Sequence, residues 1–177
     1  MILLRHDRVR ADGLCYGQSD PPLLIPPRDT AARLSLPGWR RLVSSPSPRC
    51  LSLARVLAGS RPIRVSPGLR ELHFGAWEGQ RWDDIDRTEI DRWARAPLDF
   101  RAPGGESARD LYNRVAGWAR HFQPEDGDLI IAHAGSLRAL AAHILGTDFD
   151  TTWQWPVPYA TPVTVTNTTD GFVPYEA

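Results

Sequence analysis

Ile2-Leu3-Leu4-Arg5-His6 runs three apolar residues straight into an arginine and a histidine. The apolar run reads as a short buried strand. Arg5 and His6 then stand where that strand leaves the sheet, and in open α/β sheets ligands collect at the carboxyl ends of strands. A neutral imidazole is a nucleophile or a base, and the neighbouring guanidinium is a permanent cation. The pair suits an anionic, phosphorylated substrate. An Arg-His pair alone is a common sequence and needs context. Leu129-Ile130-Ile131-Ala132-His133-Ala134-Gly135-Ser136 supplies it. Here a second apolar strand ends in a histidine and passes through a glycine into a helix. Two strands that each carry a histidine to one sheet edge form a far more specific pattern.

Between these strands the chain alternates. Gly13 to Leu23 is rich in Gly, Pro and Asp, which block a helix and imply an ordered loop; its Tyr16 and Leu14 argue for packing. Arg28 to Leu36 is a short helix and Arg41 to Ser45 a second strand. Pro48 to Ala58 is a helix with Cys50, Leu53, Ala54 and Leu57 on one face. Arg49 sits in its first turn, where free N–H groups and a guanidinium make a reasonable anion site. Ile63 to Val65 is a brief strand. Leu69 to Gly79 mixes aromatic residues, Gly and Glu without period, as a shaped loop does when apolar side chains pin a carboxylate. Glu71 and Glu78 are the carboxylates of interest. Trp82 to Arg95 reads as an acidic, aromatic helix in a cap or lid region. Ser107 to Phe122 is a long helix with a Leu111, Val115, Trp118, Phe122 stripe, and Ser136 to Leu145 another. The N-terminus of the latter faces His133 and favours an anion there, whereas His143, inside that helix, reads as structural. Pro162 to Asn167 is a final strand.

The 177 residues suit one domain, 1–177, with 76–106 as a cap or lid insertion. Zero formal net charge disfavours nucleic acid and anionic membranes as partners. The sequence contains no lysine, so any anion site must use Arg, His or backbone N–H groups. Cys15 and Cys50 lack metal-ligand spacing and read as reduced thiols of a cytosolic protein. No signal-peptide pattern is visible and no apolar run is long enough for a transmembrane helix, so a cytoplasmic location is expected. Strands each followed by a helix argue for a three-layer α/β/α sandwich with a mostly parallel central sheet.

The ordered motifs resemble the histidine phosphatase superfamily, the group that includes cofactor-dependent phosphoglycerate mutases. Leu4-Arg5-His6 matches its Arg-His-Gly opening, with Asp7 in the glycine's place. Ser44-Ser45-Pro46-Ser47-Pro48-Arg49, Leu69 to Gly79, Gly105-Glu106-Ser107 and His133-Ala134-Gly135 follow in family order. The resemblance implies that His6 attacks phosphorus and forms a phosphohistidine. Arg5, Arg49 and His133 would bind the phosphoryl oxygens, and Glu71 would be the proton donor. It implies no metal and no cofactor, since Arg clamps supply the charge stabilisation.

Three departures stand out. Asp7 either faces solvent or orients His6. Val9 and Asp12 stand where many members have Thr and Asn. Tyr16 stands where mutases have a small phosphate-contacting residue.

The compact chain looks more like a phosphatase than a mutase. Leu14 to Asp20, followed by Pro22-Leu23, resembles the loop of α-ribazole phosphatase-like members, which act late in cobalamin assembly. Tyr16, Gly17, Trp77 and Ala134 are candidate substrate contacts, and Trp82 could join Tyr16 and Trp77 in stacking a benzimidazole-like base. The expected activity is hydrolysis of a small phosphorylated metabolite, with α-ribazole 5′-phosphate as one candidate. A mutase-type phosphotransferase and a non-catalytic phospho-ligand binding module are the alternatives. Tryptophans in 80–102 suit either a lid or a homodimer contact.

Overall fold

The computed structural model describes residues 1–165 and the short strand at 172–174. Six strands form one sheet: β1 (Ile2–Arg5), β2 (Arg41–Ser44), β3 (Ile63–Val65), β4 (Asp128–Ala132), β5 (Pro162–Val165) and β6 (Phe172–Pro174), in the order β3-β2-β4-β1-β5-β6. β1 to β4 are mutually parallel, and β5 runs antiparallel between β1 and β6. Of the sequence-predicted final strand, Pro162 to Val165 forms β5; positions 166 and 167 lie outside the described residues. Five α-helices lie among the described residues: α1 (Pro27–Arg33), α2 (Pro48–Ala58), α3 (Arg87–Arg95), α4 (Ala108–Phe122) and α5 (Ala134–Leu145).

The period-2 alternation of the strands builds the three layers. Ile2, Leu4, Leu42, Leu129 and Ile131 face α2, meeting Cys50, Leu53 and Ala54. Leu3, Val43, Ile130 and Ala132 point the other way, onto Leu111 and Val115 of α4 and Leu137 and Leu140 of α5. A buried carboxylate helps fix the register. Asp128 opens β4, is 1% exposed and receives two 2.6 Å bonds from Arg41, its partner position on β2. Arg5 pairs with Ala132 across β1 and β4, so His6 and His133, the next residues, leave the sheet side by side.

The expected helix from Trp82 to Arg95 is instead two pieces: a single 3-10 turn at Trp82–Asp84, then α3. Asp86 caps α3 by accepting from the Thr88 N–H, and Ile85 leaves the helical path to enter a small core with Cys15, Trp77 and Ala102. α5 begins two residues earlier than the spacing predicts, because the Ser136 hydroxyl accepts from the His133 N–H and closes the first turn at His133.

Candidate active site

β1 and α2 place the first charges. His6 is 2% exposed, and its Nδ1 lies 2.6 Å from the Asp7 carbonyl. A carbonyl only accepts, so the proton sits on Nδ1 and the lone pair on Nε2. That lone pair accepts from Arg49 Nε at 3.2 Å. Burial first, then Arg49 and Arg5, push the imidazole down to about 3, so it is neutral and nucleophilic at ordinary pH. Arg49 follows Pro48 in the first turn of α2 and is itself buried. It donates to the Gly17 and Ser19 carbonyls and pairs with Asp20 at 2.7 Å. Arg5 lies 3.5 Å over the Tyr159 ring and donates to the Val157 carbonyl, while its buried Nε has no partner among the described residues.

His133 meets the Ser45 hydroxyl at 2.9 Å, and its ring centre is 5.2 Å from that of His6. Burial, Arg49 and His6 hold it neutral, well below the usual histidine range. Glu71 follows the 3-10 turn Pro67–Leu69 and accepts from the Leu72 and Gly135 N–H groups, both at 3.0 Å. A Cβ on Gly135 would lie 2.4 Å from Glu71 Oε1, so the close approach needs glycine there. Arg114 of α4 donates to the Gly68, Arg70 and Glu71 carbonyls and forks onto Glu106, which fixes the turn that carries Glu71.

These groups floor a cleft of about 410 Å³. Its polar base is Arg5, His6, Arg49, Glu71, His133 and Arg138, and its walls include Leu72, Phe74, Trp82, Trp93 and Trp153. Trp82 and Trp93 stack at 5.7 Å, 8° from parallel.

Of the sequence-predicted contacts, Tyr16 lines this cleft, but Gly17, Trp77 and Ala134 do not. Trp77 is 2% exposed, stacked on Phe100, with its indole N–H bonded to Glu89. Gly17 is buried under the Leu72 carbonyl, 1.8 Å from where its Cβ would be, and joins loops through Arg49 and Glu78. Ala134 packs on the main core, and Gly135 takes the cleft position. Asp7 neither faces solvent nor touches the His6 ring with its side chain. Its buried carboxylate takes bonds from Thr30 and Arg33 of α1, and only its carbonyl holds His6.

Tyr159, Arg138, Trp93 and Trp153 were not legible as site residues. Arg138 had one usable signal: it lies one helical turn beyond Gly135 on the helix that His133 begins. Among the described residues no group of three or more His, Cys, Asp or Glu could hold a metal ion, and no helix is long and apolar enough to cross a membrane.

A family model described as the histidine phosphatase superfamily (branch 1) matches residues 1–175. The chain is 26% identical over 169 residues to the adenosylcobalamin/alpha-ribazole phosphatase of Escherichia coli K12, covering 88% of this chain and 83% of that protein. It is 28% identical to a glucosyl-3-phosphoglycerate phosphatase of Mycolicibacterium vanbaalenii, covering 89% and 77%. The crystal structure of the alpha-ribazole phosphatase from Shigella flexneri superposes with a TM-score of 0.82 at 22% identity, covering 98% of this chain and 93% of that one. At that identity the likeness concerns the fold.

Proposed function

The chain belongs to the histidine phosphatase superfamily, and on that premise we propose that it is a metal-independent phosphomonoesterase acting through a phosphohistidine on Nε2 of His6. One observation carries the reading. A neutral, buried imidazole with its lone pair on Nε2 faces two guanidinium groups, one of which keeps a buried N–H without a partner among the described residues. An anion with several acceptor oxygens completes that arrangement, and the tetrahedral phosphoryl group is such an anion. Nε2 attacks phosphorus, the ester P–O bond breaks, and Glu71 gives its proton to the departing oxygen. Arg49 moves its N–H from Nε2 to a phosphoryl oxygen, while Arg5 and His133 hold the others. Water then attacks the phosphohistidine, its proton passes to Glu71, the N–P bond breaks, and inorganic phosphate leaves. The guanidinium groups do the charge stabilisation that a metal does elsewhere.

The substrate is a small phosphate ester whose alcohol carries an apolar or planar part. The stacked Trp82 and Trp93 with Phe74 support this, being a wall for a flat group. α-Ribazole 5′-phosphate, with its benzimidazole base, is the leading candidate, in keeping with the name of the E. coli relative. The test is hydrolysis of an aryl phosphate in EDTA by wild type and His6→Ala, then a panel containing α-ribazole 5′-phosphate and 3-phosphoglycerate. The expected result is turnover in EDTA that the variant loses by at least about 10³-fold. No turnover by wild type, or activity that survives in His6→Ala, overturns the assignment. Activity that needs a bisphosphate primer and leaves phosphate on the substrate points to the phosphotransferase instead.

A further inference from the structure

Two phenols from opposite ends of the chain meet inside the cleft. Tyr16 lies in the loop after β1, which is tied down on both sides of it. The Cys15 N–H bonds the Gln80 carbonyl, and the Gly17 and Gln18 N–H groups bond Glu78. Tyr159 is brought beside the end of β1 by a bridge to Arg5, with the Ala160 N–H donating to the Arg5 carbonyl at 3.1 Å. The two hydroxyl oxygens are 3.0 Å apart. The Arg5 guanidinium covers the Tyr159 ring at 3.5 Å, Arg49 lies 5.5 Å from the Tyr16 ring, and the His6 ring centre is 5.7 Å from that of Tyr159.

Proton counting gives the pair a task. Two phenols bring two O–H groups, and the bond between them uses one. The other has no acceptor among the described residues, since neither oxygen makes a further bond. Burial and the Tyr159 bond push the Tyr16 phenol upward, so it keeps its proton at ordinary pH. The surplus donor therefore belongs to a pair that lines the cleft and whose rings lie against Arg5, Arg49 and His6. Elsewhere in the loop Gln18 bonds the Glu71 carbonyl and Ser19 bonds Glu78, while Arg8 and Arg10 are exposed and do not line the cleft. Val9 carries no polar side-chain group and Asp12 is an exposed carboxylate, so neither supplies one.

We propose that Tyr16 and Tyr159 act as one hydrogen-bond donor to an oxygen of the transferring phosphoryl group. This assignment rests on His6 as the nucleophile. One phenol donates to the oxygen, and the other donates to the first and polarises it. No proton leaves the pair. A donor held by two fixed chain segments is directed at an equatorial oxygen in its trigonal position, so it favours the trigonal transition state over tetrahedral bound phosphate.

The test uses Tyr16→Phe, Tyr159→Phe and the double variant, which keep both rings and the stacking of Arg5. Binding of orthovanadate and of inorganic phosphate is read from tryptophan fluorescence, beside kcat/KM on an aryl phosphate. The double variant is expected to lose about 10- to 100-fold in vanadate affinity and in kcat/KM together, with a far smaller loss for phosphate. The single variants should not add, because the pair acts as a unit. Vanadate affinity within about twofold of wild type overturns the proposal, and so does equal weakening for both anions, which marks a packing role. Should the double variant fail to fold, Tyr16→Phe decides by the same two criteria. Wild type that binds vanadate through the phenols yet hydrolyses nothing sinks the phosphatase reading alone. Wild type that binds neither anion sinks both.

Discussion

His6 and His133 are buried and neutral, and that has a cost in acid. In the unfolded chain both titrate near 6.5; in the folded protein His6 is pushed down to about 3 and His133 well below its usual value. Below about pH 6.5 the unfolded state therefore binds more protons, and stability falls as the solution is acidified, by up to about 1.4 kcal/mol per pH unit for each histidine. Urea midpoints measured from pH 7 to 5 should decline, and His6→Gln, which cannot charge, should remove one histidine's share of the slope. Gly135 sets a second limit at this scale. In Gly135→Ala the new Cβ pushes the Glu71 carboxylate and also meets buried Leu111 Cδ2 at 3.0 Å, so stability should fall by about 1 kcal/mol. kcat should fall by about 10²-fold, the lower range for a misplaced general acid; an unaltered kcat would show that the position of Glu71 is immaterial. The motif order made Arg5, His6, Arg49 and Glu71 legible as candidates. Asp7 does orient His6, but through its carbonyl while its carboxylate serves α1; sequence cannot tell which atom of a residue acts.

The helices do more than cover the sheet. α4 begins with a capping box, in which Ser107 and Asp110 satisfy each other's N–H groups, and one turn further Arg114 reaches three carbonyls of the turn before and at Glu71. Arg114→Met keeps the stem and removes these bonds and the fork to Glu106. It should cost about 2–3 kcal/mol in urea unfolding, typical for bonds to a charged group, and lower kcat more than it raises KM, because Glu71 loses its seat. A change in stability with kcat intact would confine Arg114 to the scaffold. Strands and long helices were readable from a short unbroken apolar run, as in β4, or a helical apolar period, as in α4. The break before α3 was not. It depends on Ile85 finding Trp77 and Cys15, contacts that no local pattern of the stretch Asp83 to Arg87 records.

Among the described residues, most of the buried apolar side chains gather in three clusters. Two flank the sheet, and the third joins Cys15, Trp77, Ile85 and Ala102, with Phe74, Trp82 and Trp93 packed against it. The cleft lies where the sheet edge meets this third cluster, so its floor is charged and its wall aromatic. Trp93→Ala should raise KM for an ester with an aromatic alcohol about 3- to 10-fold more than for glycerol phosphate, the worth of one stacking contact; an equal rise for both would argue against the wall as a recognition surface. Tyr159 and Trp153 escaped sequence reading for the same reason that makes them useful. Tyr159 follows in irregular chain after the 3-10 helix Asp150–Gln154 that carries Trp153, neither stretch shows an apolar period, and the tertiary fold brings both to the cleft. The histidines and arginines are anchored in the sheet and α2, whereas Phe74, Trp82 and Trp93 of the wall are anchored in the third cluster, joined to the first set through the Tyr16 loop and the segment around Glu71. Substitutions confined to those aromatic residues would therefore reshape the wall while leaving the charged floor in place.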